Sequence, residues 1–326
     1  MCLWAEQNWS GDRTLVARQL GTRRRRWDTI VVETTASGLA ARAPFGTDRL
    51  DSDLLFVAEH APSSWDYYRD ALPDPGYPWR YVREAIHRAA DRGFVETRKR
   101  SGRIELRRRY RYPEWVDRIV AIENKPDLDA SAARRLAEQL RHDVALGLAD
   151  EVWLATRADA VDALLEAIPV EVGVLVVDAE DGNPEPPFDD DRVEVVWHPR
   201  SLPVEASGCR ITGRGDDRTD FEYVTADWKR RKRLEIAERA YERGFRSYVD
   251  TMRPDCRWFQ TREPAGPLPW CAAKDREPTA AECSGDCSAF EPEPPAWRSR
   301  GWPIDGGPGA AASRLLEAKW ARRREE

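Results

Sequence analysis

The chain has 326 residues, 58 acidic and 52 basic, for a formal net charge of −6. That length supports two or three units with at least one sizeable core. The longest apolar stretches, such as Val172 to Val177, are too short to span a bilayer, and Met1-Cys2-Leu3-Trp4 leads into polar sequence with no secretory pattern, so the expectation is a soluble cytoplasmic protein with no membrane partner. Lysine occurs only at Lys99, Lys125, Lys229, Lys232, Lys274 and Lys319, which leaves 46 of the 52 cations to arginine. Charge is also unevenly spread: residues 1–113 carry 21 basic against 15 acidic residues, and the remainder 31 against 43. A nucleic-acid surface is therefore expected in the front of the chain.

In chain order, Leu3 to Leu20 reads as a first helix with a break around Asn8 to Arg13. Arg23 to Glu33 reads as a strand of β-branched residues with Asp28 near its start. From about 50 to 113 follow three candidate helices: Asp53 to Ala58, Ser64 to Ala71, and Pro78 to Ala90, the last with Val82, Ala85, Ile86, Ala89 and Ala90 at helical spacing and Gly93 as its stop. Two strands, Phe94–Thr97 and Ile104–Leu106, flank the turn Arg100-Ser101-Gly102-Arg103. Helix, helix, helix and basic hairpin resembles a winged helix. Its expected nucleic-acid contacts are Arg98, Lys99, Arg100, Arg103, Arg107, Arg108 and Arg109.

The run Val116 to Ile122 then delivers Glu123-Asn124-Lys125. In a strand, residues i and i+2 leave the same face, so this carboxylate and amine emerge together. Asp117 offers a competing carboxylate, but about 20 Å along the same strand separates it from Glu123, too far for a shared ligand. A helix from about Ser131 to Leu148, a strand Glu151–Thr156, a helix from about Ala158 to Ala167 and a strand Val172–Asp178 follow. This alternation predicts an α/β layer with part of its sheet parallel. Segments 179–192 and 262–310 read as loops or linkers, and Asp227 to Val249 as a helix that begins with the basic run Lys229 to Arg233.

Cys256, Cys271, Cys283 and Cys287 are spaced C-x14-C-x11-C-x3-C in a proline-rich stretch with too few aliphatics for a core of its own. Four thiolates in such a segment suit a metal staple, and both zinc and a 4Fe-4S cluster can use them. Disulfides are disfavoured in an intracellular chain. The four histidines are scattered and none is assigned a catalytic part.

Asp28 on one strand, Glu123-x-Lys125 on the next and Gln139 on the following helix resemble the PD-(D/E)XK nuclease superfamily over roughly residues 1 to 180, and also a haloarchaeal family with the same layout; the acidic balance and scarcity of lysine are similar to those of proteins from salt-loving archaea. The resemblance implies an α/β fold, a restriction-endonuclease-like mixed sheet flanked by helices. Its core would be discontinuous, 1–50 and 114–205, with the winged helix 51–113 inserted, a linker and basic helix at 206–250 and the cysteine-rich module at 251–326. It implies a Mg2+- or Mn2+-dependent nuclease acting on DNA, with Asp28 and Glu123 as ligands, Lys125 as the charge that orients water or neutralises an oxyanion, and Gln139 and Glu6 as further site residues. A DNA-binding or regulatory protein without cleavage is the alternative, and an RNA substrate the third reading. Iron–sulfur members place one cysteine before the nuclease core, whereas all four follow it here, so zinc is expected ahead of the cluster. Oligomeric state is not readable from the chain.

Overall fold

The computed structural model describes residues 1–22, 25–46, 48–125, 130–157, 167–177, 193–214, 218–243, 253, 256–262, 268–275, 283 and 287–292. The chain divides into two compact units, one of residues 1–179 and 190–244 and one of 180–189 and 245–326.

In the first unit, the β-branched runs associate as a six-stranded mixed sheet. Its strands are β1 (Arg13–Gly21), β2 (Arg26–Thr34), β6 (Arg118–Asn124), β7 (Glu151–Thr156), β8 (Gly173–Val177) and β9 (Val193–Trp197), in that spatial order. β2 is antiparallel to both of its neighbours β1 and β6, β6, β7 and β8 run parallel, and β9 is antiparallel to β8 at the edge. A parallel pair needs a crossover, and α6 (Ala130–Leu146) supplies it between β6 and β7. Ile119 to Ile122 of β6 and Val152, Leu154 and Ala155 of β7 are buried. Burial of each such Val, Leu or Ile contributes about 1.5–3 kcal/mol. Strands buried on both faces need cover on both. α7 (Ala226–Arg243) packs on β1 and β2, α1 (Cys2–Asn8) packs on β1, and α6 packs on β7.

Several expectations change. The first helix ends at Asn8, and Arg13 to Gly21 is a strand, because its eight-rung pairing with β2 overrides a helix-compatible spacing. The expected helix Ser64–Ala71 splits into a two-residue strand β3 (Asp66–Tyr67), paired with Leu106 and Glu105, and the single turn α4 (Tyr68–Ala71). Segment 206–250, expected as linker and helix, contributes a hairpin of β10 (Gly208–Arg214) and β11 (Thr219–Val224), and Ile236, Ala237 and Ala240 of α7 join the core. The expected helix 158–167 lies almost wholly outside the described residues.

Buried residues from Phe45 to Leu106 form a second hydrophobic cluster. α3 (Ser52–His60) is capped by Asp51, whose side chain accepts from the N–H groups of Asp53 and Leu54. α5 (Trp79–Asp91) buries Val82, Ala85, Ile86 and Ala89, which share one face. β4 (Val95–Arg100) and β5 (Arg103–Arg108) close through Ser101 and Gly102 with φ of 49° and 77°. Two positive φ values match a type I′ turn, whose twist suits a hairpin.

This segment leaves the sheet after Thr34 and returns at Arg118, where Glu33 pairs with Arg118. Asp28 and Glu123 lie at the other end of the same ladder, five residues or about 17 Å away. The length of the insertion therefore does not act on their separation. Its return is locked by a buried cluster. α2 (Ala36–Arg42) ends in Arg42, whose Nε and Nη2 donate to Glu238 at 2.7 and 2.6 Å. Tyr112 Oη and the Leu50 N–H donate to the same carboxylate, and both Arg42 and Glu238 side chains are sealed from solvent.

The second unit has β12 (Phe259–Arg262) paired antiparallel with β13 (Leu268–Cys271), and a bridge between Cys256 and Pro292. Cys256, Phe259, Trp258, Cys283 and Phe290 form its small apolar cluster.

Candidate functional site

The β2–β6 register pairs Thr29 with Ile122, and one rung further sets Asp28 opposite Glu123. Directly opposed residues of an antiparallel pair share a face, so the two carboxylates meet. There the ladder gives way to a side chain: the Asn124 N–H donates to Asp28 Oδ2 at 3.0 Å. Lys125 follows β6, and its backbone is fixed by β7, with its N–H donating to the Ala155 carbonyl and its own carbonyl accepting from Thr156 Oγ1, each at 2.9 Å. Its Nζ stands 2.9 Å from Glu123 Oε1 and 3.6 Å from Asp28 Oδ2. The structure thus brings Asp28, Glu123 and Lys125 together.

Two further residues complete the cluster and were not among the expected site residues. Arg25, in the turn between β1 and β2, donates through Nε and Nη2 to the two oxygens of Asp143, both at 2.7 Å, and through Nη2 to Glu123 Oε2 at 3.0 Å. The turn that carries Arg25 is tight: a Cβ on Gly21 would sit 2.1 Å from the Arg25 carbonyl oxygen, so glycine is required there. Asp143 lies on α6 four residues after Gln139, on the same helix face. Gln139 itself is half-buried. Glu6 lies in α1, with its side chain outside the described residues. A signal for Asp143 existed in the sequence, an acid one turn beyond Gln139 in the apolar stripe of Leu136, Leu140 and Val144. For Arg25 there was none, since Arg23 to Arg26 gives no sign of which guanidinium turns inward.

Burial raises the affinity of Glu123 for a proton, but Arg25 and Lys125 outweigh it and hold the carboxyl below its ordinary range. Lys125 is pushed down by burial and more strongly up by Glu123 and Asp28, so it stays an ammonium. Burial pushes the Asp143 carboxyl up, opposed by Arg25 and by the nearby Trp27 indole, whose N–H dipole acts without a formed hydrogen bond. Both Asp143 oxygens accept N–H donors, which is the bonding of a carboxylate. Exposure is graded across the cluster: the side chains of Asp143 and Glu123 are 1% and 5% exposed, those of Asp28 and Lys125 37% and 38%. Three carboxylates face two cations, one negative charge in excess, and the accessible edge is the Asp28 edge. Asp117 is exposed at the opposite end of β6.

Among the hairpin cations, Arg98 pairs with Glu105 and Arg107 with Glu96, each at 2.6 Å, and Arg109 lies 3.6 Å from Glu96. Arg98 and Arg107 also lie over Trp65, and Arg103 over Tyr67. Lys99, Arg100, Arg103 and Arg108 have no acidic partner among the described residues, and the first three are exposed. The basic run of α7 is different. Lys229 is buried and donates to the Pro203 and Ala206 carbonyls, Arg230 pairs with Glu59, Lys232 with Glu235, and Arg233 with Asp150. Most of that run holds the fold together, and Arg231 alone stays exposed without such a tie.

None of the six cysteines, all of them described, forms a disulfide. Cys256, Cys271, Cys283 and Cys287 line one cavity of about 20 Å3 together with Phe259, Trp270 and Phe290. The Arg253 N–H donates to Cys283 Sγ at 3.3 Å. Burial pushes the Cys283 thiol up; that N–H opposes it, and the other three thiols push it further up. As the side chains stand, no group of three or more His, Cys, Asp or Glu among the described residues is arranged to hold a metal ion. Among the described residues, no helix is long and apolar enough to cross a membrane.

No curated protein and no solved structure matches the chain. Residues 15–292 match the family of unknown function DUF5787, and with most of its length covered the chain belongs to that family.

Proposed function

We propose that the chain is a metal-dependent nuclease that hydrolyses phosphodiester bonds in DNA at Asp28, Glu123 and Lys125. The observation that carries this reading is the meeting of Asp28 and Glu123 on one face, across an insertion of more than sixty residues, with Lys125 within 3.6 Å of both. The order α1, β1, β2, β6, α6, β7 supports it, because acid, E-x-K, helix with Gln139 and apolar strand follow in the sequence of the resemblance. The donor set fits Mg2+ or Mn2+: these hard cations take carboxylate oxygens, and the excess negative charge favours them. Asp28 Oδ1 has no partner among the described residues, and a carboxylate offers about four lone-pair positions, of which Glu123 uses two.

When bound, such an ion supplies a water of lowered pKa and positive charge at the phosphate. The protein's own residues would act as follows. Lys125, held as an ammonium, cannot take a proton at neutral pH, so it orients water or neutralises the developing oxyanion. Glu123, held ionised, keeps acceptor capacity toward the Asp28 edge. Arg25 fixes Glu123 and Asp143 in register. The 51–113 unit is read as a winged helix whose Lys99, Arg100, Arg103 and Arg108 approach phosphates. The four thiols of the second unit are read as residues that would hold a structural zinc, with a 4Fe-4S cluster as rival: that all four line one cavity supports a shared four-thiolate site. Metal analysis of the purified chain separates the two, since a brown protein absorbing near ~400 nm means iron–sulfur.

One observation favours a second reading, a DNA-binding protein without cleavage: Arg25 and Lys125 already occupy both oxygens of Glu123. The test is cleavage of duplex and single-stranded DNA and of RNA with Mg2+ or Mn2+ in high salt, for wild type, Asp28→Ala and Lys125→Ala. The nuclease reading expects at least a ~100-fold loss in each variant. Equal cleavage in all three removes the site, and binding without cleavage by wild type selects the second reading.

A further inference from the structure

The first unit contains a cavity of about 670 Å3 in which the β1–β2 turn, the segment before α3, α6, β10 and α7 come together. That volume falls in the range of about 300–1,000 Å3 typical of small-ligand sites. Its walls carry five cations, Arg25, Arg49, Arg210, Lys232 and Arg239, with His142 beside them. Three acids also line it, and each is already engaged: Asp143 by Arg25, Glu235 by Lys232 and Asp51 by Arg88. On the lining itself cations outnumber acids five to three, although Arg25, Arg49 and Arg210 also pair with Glu123, Glu242 and Glu222 outside it. Arg210 lies over the Trp228 ring at 5.1 Å, which leaves its in-plane N–H groups directed sideways. One of them pairs with Glu222, whereas Nε is buried with no hydrogen-bond partner among the described residues. A buried N–H of a guanidinium is costly to leave unmade and is a mark of an absent acceptor. Leu50, Ile211 and Ile236 supply apolar lining.

We infer that this cavity is an anion subsite that takes a phosphate-bearing nucleotide unit, with the phosphate on Arg210 and Lys232 and the sugar and base against the apolar lining. The cavity shares Arg25 and Asp143 with the carboxylate site, so an anion seated there lies next to the guanidinium that clamps Glu123. The nuclease reading enters only in the source of the ligand, a substrate strand or a free nucleotide.

The test is calorimetric titration of the full chain with thymidine 5′-monophosphate and with inorganic phosphate. Neither contains a diester to cut, so the result is independent of cleavage. The mononucleotide binds once per chain and more tightly than phosphate. Arg210→Gln and Lys232→Gln, two independent variants with thermal unfolding as the folding control, each weaken it by about tenfold or more, and Arg83→Gln, at an exposed position of α5 outside the cavity lining, leaves it unchanged. A short single-stranded oligonucleotide that displaces the mononucleotide identifies the strand as the source; failure to displace it identifies a free nucleotide, and either supports the subsite. No binding by the folded wild type, or binding unchanged in both cavity variants, overturns it.

Discussion

Two arginine–carboxylate clusters sit in the same unit, and they are built alike but end differently. At Glu238, one carboxylate receives the Arg42 fork, Tyr112 Oη and the Leu50 N–H, and both charged side chains are sealed. At Glu123, the Arg25 fork is sealed on the Asp143 side but the chain of contacts runs outward through Lys125 to a half-open Asp28. The first cluster satisfies every acceptor and has nothing left to offer. The second carries a carboxylate in excess at its accessible edge, which separates a charge cluster that binds a fold together from one that can bind a ligand.

The largest expected effect belongs to the sealed cluster. Glu238→Gln leaves Arg42 buried without its counter-charge and should cost about 3–5 kcal/mol in denaturant unfolding, with no specific effect on cation binding at Asp28. A loss under about 1 kcal/mol would mean the cluster is not closed. Arg25→Gln strips the fork from a buried Asp143 and should cost about 2–3 kcal/mol. It should also tighten Mn2+ binding, because Glu123 loses one of its two clamps; weaker binding would make Arg25 a supporting partner of the ion rather than a competitor.

pH sharpens the same contrast. Glu123 has its folded pKa below the ordinary 4.5, so its contribution to stability is present above that value and is lost as pH falls through the lowered one. The stability difference between wild type and Glu123→Gln should hold from neutral pH to about 5 and narrow below it. A difference that widens on acidification would reverse the assignment. The smallest effect on stability belongs to the hairpin: Lys99→Ala with Arg100→Ala and Arg103→Ala should leave unfolding within about 0.5 kcal/mol. The same triple variant should flatten the salt dependence of DNA binding by about 0.9 for each phosphate it no longer neutralises. An unchanged slope would remove these residues from the interface.

Much of the site was legible because it depends on neighbouring strands. Ile119 to Ile122 and Val152 to Thr156 could only be buried strands, and an E-x-K at a strand end projects both side chains to one face whatever surrounds it. Asp28 could be paired with Glu123 because the insertion joins the far end of their ladder. Arg25 and Asp143 were not legible as a pair, since 118 residues separate them and only the folded turn at Gly21 selects Arg25 from its run. The stretch Arg13 to Gly21 misled for the same reason: its spacing suits a helix, and pairing with β2 decides otherwise. The basic start of α7 was readable as charge but not as contact, because its partners Glu59, Asp150 and the carbonyls of Pro203 and Ala206 come from distant segments.

The most direct measurement is Mn2+ binding, followed by its paramagnetic resonance signal, in wild type, Asp28→Asn and Glu238→Asp. Asp28 and Lys125 are more than a third exposed, so Asp28→Asn should change stability by no more than about 1 kcal/mol while abolishing one bound Mn2+; Glu238→Asp should lower stability and leave that ion in place. A wild type that binds no Mn2+, or an Asp28→Asn variant that binds it as well as wild type, would contradict the account.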